Sequence, residues 1–462
     1  MASRTLDRTL IDRLVERERA AYLAANPRSA QCHARADHLF GRVPMTWMNK
    51  WVGRFPLYLQ SARGNRITDV DGHTYVDFAL GDTGAMAGHS PRPTTDAVVR
   101  RMSELGGITT MLPTEDAEWV AAELSRRFGL PLWSFSLSAT DANRWAVRLA
   151  RLVTGRPKIL VFSYCYHGTV DETFVVVGDD GVARSRPGNV APAVDPTLTT
   201  RVVEFNDLAA VERELAHGDV AAILTEPALT NIGIVLPEPG FMSGLRHLAT
   251  KYGALLVIDE THTISAGPGG MTARDGLSPD IFVIGKSLGG GIASGAYGLS
   301  AEVAARVNAR VEAAEVDLID VGGVGGTLAG NALSLAAMRA TLAEVLTPDA
   351  FVRMIGLADR FAAQTAEIIE KYELPWSITQ LGARAEYRFA NPAPRTGNES
   401  AAAADDRLDE YMHLYMCNRG ILMTPFHNMA LMCPETVDSD VETHTEVFHS
   451  AARELVGLEP VG

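Results

Sequence analysis

Residues 279–291 read PDIFVIGKSLGGG. Ile281, Phe282, Val283 and Ile284 form an unbroken apolar run, the pattern of a short strand buried on both faces. Lys286 stands where that strand ends, and Gly289, Gly290 and Gly291 follow it. The feature to explain is an amine at the end of a buried strand, with glycines clearing the space around it.

Working outward, the same kind of run recurs in KILVF (158–162), VAAILTEP (220–227) and GALLVIDE (253–260), separated by helical patterns from about 90 to 300. Apolar strands alternating with helices predict a parallel sheet covered on both sides. Glu226, Asp259 and Lys286 close their strands. Ligands of open parallel sheets bind beyond the carboxyl ends, so the three are expected to converge on one cleft.

Gly285-Lys286-Ser287 is not the tail of a phosphate-binding loop, because Asp280 stands where that motif needs glycine. No G-x-G-x-x-G opens a helix after a strand, which leaves a dinucleotide site without support. A lysine at the base of a cleft can instead condense with an aldehyde to give a Schiff base. Glycines 289–291 would then let a cofactor lie close to the backbone.

The remaining chain supplies the frame. Residues 55–79 predict short strands broken at Gly64-Asn65 and Asp71-Gly72, dipeptides that tolerate positive φ. Leu6, Leu10, Ile11 and Leu14 share one face of an amphipathic N-terminal helix. NALSLAAMRATLAEVL (331–346) predicts a long helix, and NPAPRTGNESAAAADD (391–406) an exposed loop.

A formal net charge of −14 argues against nucleic-acid or anionic-membrane partners. Cys32, Cys165, Cys417 and Cys433 are scattered and lack C-x-x-C spacing, which suggests reduced thiols in the cytoplasm and no metal site. No apolar stretch approaches the length of a membrane span, and the N-terminus lacks the apolar core of a secretory signal.

Taken in order, SLSATDANRWAVRLAR (136–151), YCYHG (164–168), EPALTNIG (226–233), GALLVIDETHT (253–263) and GGTLAGNALSLAA (325–337) resemble the successive motifs of the class III, fold-type I aminotransferases. The resemblance spans roughly residues 40–455 and is nearest in pattern to the aminomutases and the amine and β-amino-acid aminotransferases of that family.

It implies an α/β fold: a large domain with a mostly parallel seven-stranded sheet, and a smaller α/β domain. Expected boundaries are 1–80 and 336–462 for the small domain and 81–335 for the large one. It implies pyridoxal 5′-phosphate, held by Lys286 as an internal aldimine. The implied activity is ping-pong transfer of an amino group from an amine or non-α amino acid to a keto acid such as pyruvate. The alternatives are a glutamate-1-semialdehyde-type 2,1-aminomutase and a silent cofactor-binding protein.

By resemblance, Asp259 pairs with the ring nitrogen and makes the ring an electron sink. Glu226 and Asn231 lie near the phenolic edge. Tyr166 stacks on one face with His167 beside it, and Thr261, followed by His262, covers the other, its hydroxyl within reach of a cofactor oxygen. Ser138, Ala139 and Thr140, at the start of a helix, receive the phosphate. Thr327 reaches the phosphate of a neighbouring subunit, which implies a homodimer with shared sites.

The aminomutases of the family carry an arginine where Met48 stands and an acidic residue where Met429 stands. Related β-amino-acid aminotransferases place an arginine at the position of Phe426. Trp47, Met48, Phe426 and Met429 are therefore expected to form an apolar pocket, which favours a neutral or hydrophobic donor. Arg384 and Arg388 are the candidates for meeting the acceptor's carboxylate.

Overall fold

The structure is a computed structural model that describes residues 4–192, 194–320, 322–425 and 427–459. The chain forms two compact units. One holds residues up to 91, 349–393 and from 403 onward; the other holds 92–348 and 394–402. These edges fall about a dozen residues beyond those expected from the sequence, and a short C-terminal segment joins the larger unit.

The larger unit is built on a seven-stranded sheet. Its strands run, in spatial order, Leu132–Ser136, Gly295–Leu299, Ile281–Gly285, Leu255–Asp259, Val220–Thr225, Lys158–Phe162 and Thr200–Val203. Gly295–Leu299 is antiparallel to both neighbours, and the remaining pairings are parallel. The apolar runs at 220–225, 255–259 and 281–285 are buried along their whole length, as strands covered on both faces must be. The strands at 132–136, 200–203 and 295–299 mix polar, small and apolar residues, so apolar runs alone do not reveal them.

Helix Ala139–Thr154 lies on this sheet and buries Ala142, Trp145, Ala146, Leu149 and Ala150. The Trp145 ring meets Tyr297 edge-on at 6.1 Å between centroids. The helix predicted over 331–346 is α-helical over Ala332–Ala340 and then widens into a π turn at Thr341–Val345. Here the Thr341 hydroxyl bonds that of Thr94 at 2.8 Å.

The segment 391–406 is not simply an exposed loop. Gly397–Ala402 is a short helix, and Ser400 is buried. A Cβ on Gly397 would lie 2.0 Å from the Ser163 carbonyl oxygen, so this helix lies close against that backbone.

In the smaller unit, Leu59–Arg63, Arg66–Asp69 and Thr74–Asp77 form an antiparallel meander, joined by Ile421–Leu422. Gly64 and Gly72 make the expected turns. A second sheet pairs Ser377–Leu381, Arg384–Arg388 and Met429–Leu431. The N-terminal helix Arg8–Ala25 buries Ile11, Leu14, Val15 and Tyr22. Among the described residues no helix is long and apolar enough to cross a membrane.

Candidate active site

Sheet register brings the strand ends together. Ile258 pairs with Thr225, so Asp259 and Glu226, the residues that follow that pair, come side by side at the strand ends. Asp259 also pairs with Val283, which puts Lys286 just beyond it on the neighbouring strand. Lys286 has φ +52°. A side-chain-bearing residue in this left-handed region costs about 1–3 kcal/mol, a strain that clusters at functional sites. The chain then turns through a 3₁₀ segment, Lys286–Gly289, and Lys286 Nζ lies 2.8 Å from His262 Nε2.

Asp259 is buried and caged. Its Oδ2 accepts from Asn143 Nδ2 at 2.7 Å and bonds His167 Nδ1 at 2.9 Å. Its Oδ1 accepts from the Thr261 backbone N–H at 3.0 Å and the Thr261 hydroxyl at 2.6 Å. Burial by itself would raise the Asp259 pKa, but the His167 bond and charge, with Thr261 and Asn143, hold it below the ordinary carboxylate value. Burial also works against charge on His167, yet the Cys165 sulfur and Asp259 outweigh it and keep His167 well above an ordinary imidazole.

Glu226 sits in the opposite balance. Burial pushes its carboxyl up, opposed by the charge of His167 and the hydroxyl of Thr230. It accepts from the Tyr166 backbone N–H at 3.2 Å. The half-buried Tyr166 is distinct from Tyr164, whose ring lies under Arg186 at 5.1 Å. Asn231 is half-buried in the turn after Glu226.

The helix start at Ala139 is pressed on by residues without side chains. A Cβ on Gly285 would lie 2.9 Å from the Ala139 nitrogen, and one on Gly168 (φ +76°) would lie 2.0 Å from the Thr140 hydroxyl. Ser138 caps the helix by accepting from the Asp141 backbone N–H at 3.3 Å, and its hydroxyl donates to Asp141 at 3.1 Å. The first-turn N–H groups of a helix have no intrahelical acceptor, which suits them to an anion.

Some sequence expectations take other forms. The Thr261 hydroxyl is committed to Asp259 rather than turned toward a cofactor oxygen. Glycines 289–291 lead back into strand 295–299: a Cβ on Gly289 would lie 2.6 Å from the Ser294 hydroxyl and one on Gly290 2.7 Å from the Thr341 hydroxyl, while one on Gly291 would meet nothing within 4 Å. Thr327 is exposed in the loop before helix Ala332–Ala340.

Trp47, Met48, Met429 and Arg388 belong to the smaller unit, and Phe426 lies outside the described residues. Trp47 and Met48 are half-buried in the 3₁₀ turn Thr46–Lys50. Met429 is buried and pairs with Glu386, itself buried and bonded to His427 at 3.2 Å, so its surroundings are not purely apolar. Arg388 is buried with its charge toward Asp409, and Arg384 donates to the Thr83 hydroxyl. Both arginines thus have acceptors or counter-charges inside their own unit.

Sequence reasoning missed Asn143, Thr230 and Glu260. Asn143 is an amide on the buried face of a helix otherwise lined by Ala142, Trp145 and Ala146, and that break in pattern was the available signal. Glu260 accepts from the backbone N–H groups of Met271 and Thr272, so the acid beside Asp259 is a structural clamp.

The family described as "Aminotransferase class-III" matches residues 47–451. The chain belongs to the class III aminotransferases. This class III chain is 31% identical over 437 residues to glutamate-1-semialdehyde 2,1-aminomutase 2 of Brevibacillus brevis, covering 92% of this chain and 98% of that one. A glutamate-1-semialdehyde-aminomutase from Pseudomonas aeruginosa PAO1 shares 48% identity and superposes with a TM-score of 0.94 over 97% of this chain and 99% of that one. A lysine-to-alanine variant of that protein has been solved in complex with PMP. A β-phenylalanine aminotransferase from Variovorax paradoxus is 28% identical, with a TM-score of 0.82 over 95% of this chain and 97% of that one.

This aminotransferase is a pyridoxal 5′-phosphate enzyme with the fold-type I architecture. The residues present fit that group. An amine ends one strand, a carboxylate kept charged ends the next, and Gly168 and Gly285 keep the start of a helix clear. Beside the carboxylate, the buried Asn143 Oδ1 has no hydrogen-bond partner, as expected where a polar group is still to be placed.

Proposed function

We propose that this protein is an aminomutase of the glutamate-1-semialdehyde type, moving an amino group between neighbouring carbons of one small molecule. The observation that carries the amine chemistry is Lys286 Nζ, held at 2.8 Å from an imidazole beside the strand that ends in the charged Asp259. The shared name of the Brevibacillus and Pseudomonas relatives supports relocation within one substrate over transfer to pyruvate.

When bound, pyridoxal phosphate supplies an electron-withdrawing ring that makes the C–H next to the substrate's amino group acidic. Asp259 would hold a proton on the ring nitrogen, and His167, Asn143 and Thr261 keep that carboxylate oriented and ionised. Lys286 Nζ would take the acidic proton and return it at the neighbouring atom. The helix start at Ser138, Ala139 and Thr140 would receive the phosphate, Tyr166 and Thr261 would bracket the ring, and Glu226 and Asn231 would lie along its edge.

A second reading, transfer from an amine or β-amino acid to a keto acid, is supported by Met48 and Met429 at positions where the family's aminomutases are charged. One assay separates the two. Glutamate-1-semialdehyde consumed without any co-substrate supports the mutase. Turnover only when an amine and pyruvate are both supplied, with alanine formed, overturns it.

The protein works as a homodimer in the cytoplasm. Exposed Met102, Leu105, Met111 and Leu112 form an apolar stretch suited to a second copy, with Thr327 completing the partner's phosphate site. The four cysteines are free thiols, as a reducing compartment keeps them. Sedimentation of wild type and Met111→Glu tests the dimer: equal masses at the monomer value would refute it.

A further inference from the structure

We propose that His262 is a positioning residue for Lys286: its Nε2 accepts a hydrogen bond from the lysine ammonium, aims Nζ and holds the proton that Nζ has taken. The inference rests on Lys286 being the reacting amine, but not on which substrate it serves.

The geometry is specific. His262 lies in the turn directly after Asp259, is 5% exposed and places Nε2 2.8 Å from Nζ. An ammonium only donates, so the nitrogen facing it must present a lone pair, which puts the imidazole's own proton on Nδ1. Two cations at this distance would repel strongly, so the imidazole stays neutral while Nζ holds a proton. The proton balance is simple. Neutral Nζ receives H⁺ from substrate carbon and becomes the ammonium, His262 stays neutral throughout, and the charge returns to zero when Nζ gives the proton up.

Nε2 offers the half-buried ammonium an acceptor, and a hydrogen bond made to the charged form favours that form. Because one N–H is committed to Nε2, the remaining hydrogens and the lone pair of the neutral amine have fixed directions, which matters when a proton must move between two adjacent atoms.

The test uses His262→Leu, which has no acceptor, and His262→Gln, whose amide oxygen can still accept. In cofactor-free protein, the rate at which acetic anhydride acetylates Lys286 is followed against pH by peptide mass spectrometry. Lys50, Lys158, Lys251 and Lys371 serve as internal controls for folding. The midpoint for Lys286 is expected to fall by about one pH unit in the leucine variant and to return to within a few tenths in the glutamine variant. In the loaded enzyme, kcat is expected to fall roughly 10–100-fold with leucine, with KM changed less than about threefold, and to recover at least tenfold with glutamine. An unmoved midpoint in the leucine variant overturns the proposal. So does a glutamine variant that behaves like the leucine one. If the leucine variant fails to fold, a full-unit shift in the glutamine variant alone is enough to refute it.

Discussion

His167 Nδ1 lies 2.9 Å from Asp259 Oδ2, and both side chains are buried. A buried carboxylate survives as an anion only where its lone pairs are met, and here His167, Asn143 and Thr261 meet them. Asp259→Asn should cut kcat by about 10²–10⁴-fold, because an amide cannot keep a ring nitrogen protonated. It also strands the charge on His167, at a cost of about 3–5 kcal/mol in folding stability. The double change His167→Asn/Asp259→Asn should unfold at a higher temperature than Asp259→Asn alone. Calorimetry showing simple additivity would contradict a coupled pair.

Gly285 precedes the lysine and lies against the start of helix Ala139–Thr154, the proposed phosphate site. Gly285→Ala would set a Cβ 2.9 Å from the Ala139 nitrogen and 3.0 Å from its Cβ. Overpacking of this kind costs about 1–3 kcal/mol. The expected result is at least a tenfold rise in the Kd for pyridoxal phosphate, read by fluorescence titration, with a smaller effect on melting of the cofactor-free protein. Unchanged affinity would mean that the helix start does not hold the phosphate.

Lys286→Ala should still bind pyridoxal phosphate but lose borohydride-dependent attachment of it. In wild type, reduction should add the cofactor's mass to the peptide containing residue 286. Turnover in the variant should fall by about 10²–10⁴-fold. Attachment at any of the other lysines would reassign the site.

The smaller unit makes a prediction about pH. Burial raises the Asp409 carboxyl to about 6, against opposing effects from Asn428, Arg388 and His427 and reinforcement by Glu386. The folded state therefore binds a proton that the unfolded state has lost, and stability falls as pH rises from about 4 to about 6. Burial lowers His413 to about 4, so its contribution has the opposite sign and grows with pH up to the ordinary imidazole range. The two partly cancel in wild type. Asp409→Asn removes the falling component, so its melting temperature relative to wild type should climb between pH 4 and 6. A flat difference across that interval would contradict a raised Asp409.

Much of the site was legible because its chemistry sits where strands end. Asp259 and Lys286 each follow an apolar run, and a short buried strand has only one way to present its next residue to a cleft. The motifs at 136–151, 164–168 and 226–233 carried the cofactor frame through resemblance to a family. The cage around Asp259 was not legible. Asn143 and His167 lie more than ninety residues from it in sequence, and only register across the sheet makes them neighbours. The 391–406 segment was misread for a related reason: polar composition marks a loop in isolation, but Gly397 lies close against the Ser163 carbonyl, which no local pattern announces.

By itself, the sequence determined the α/β layering, the lysine at the strand end, the paired carboxylate and hence the class of chemistry, because hydrophobic periodicity and residue type act locally along the chain. The tertiary structure alone decided what each polar group touches: that Thr261 serves Asp259, that His262 faces Lys286, and that Arg384 and Arg388 are engaged within their own unit. Hydrogen bonds and charge interactions depend on distances of a few ångströms, and those distances exist only after strands far apart in the chain have been brought into register.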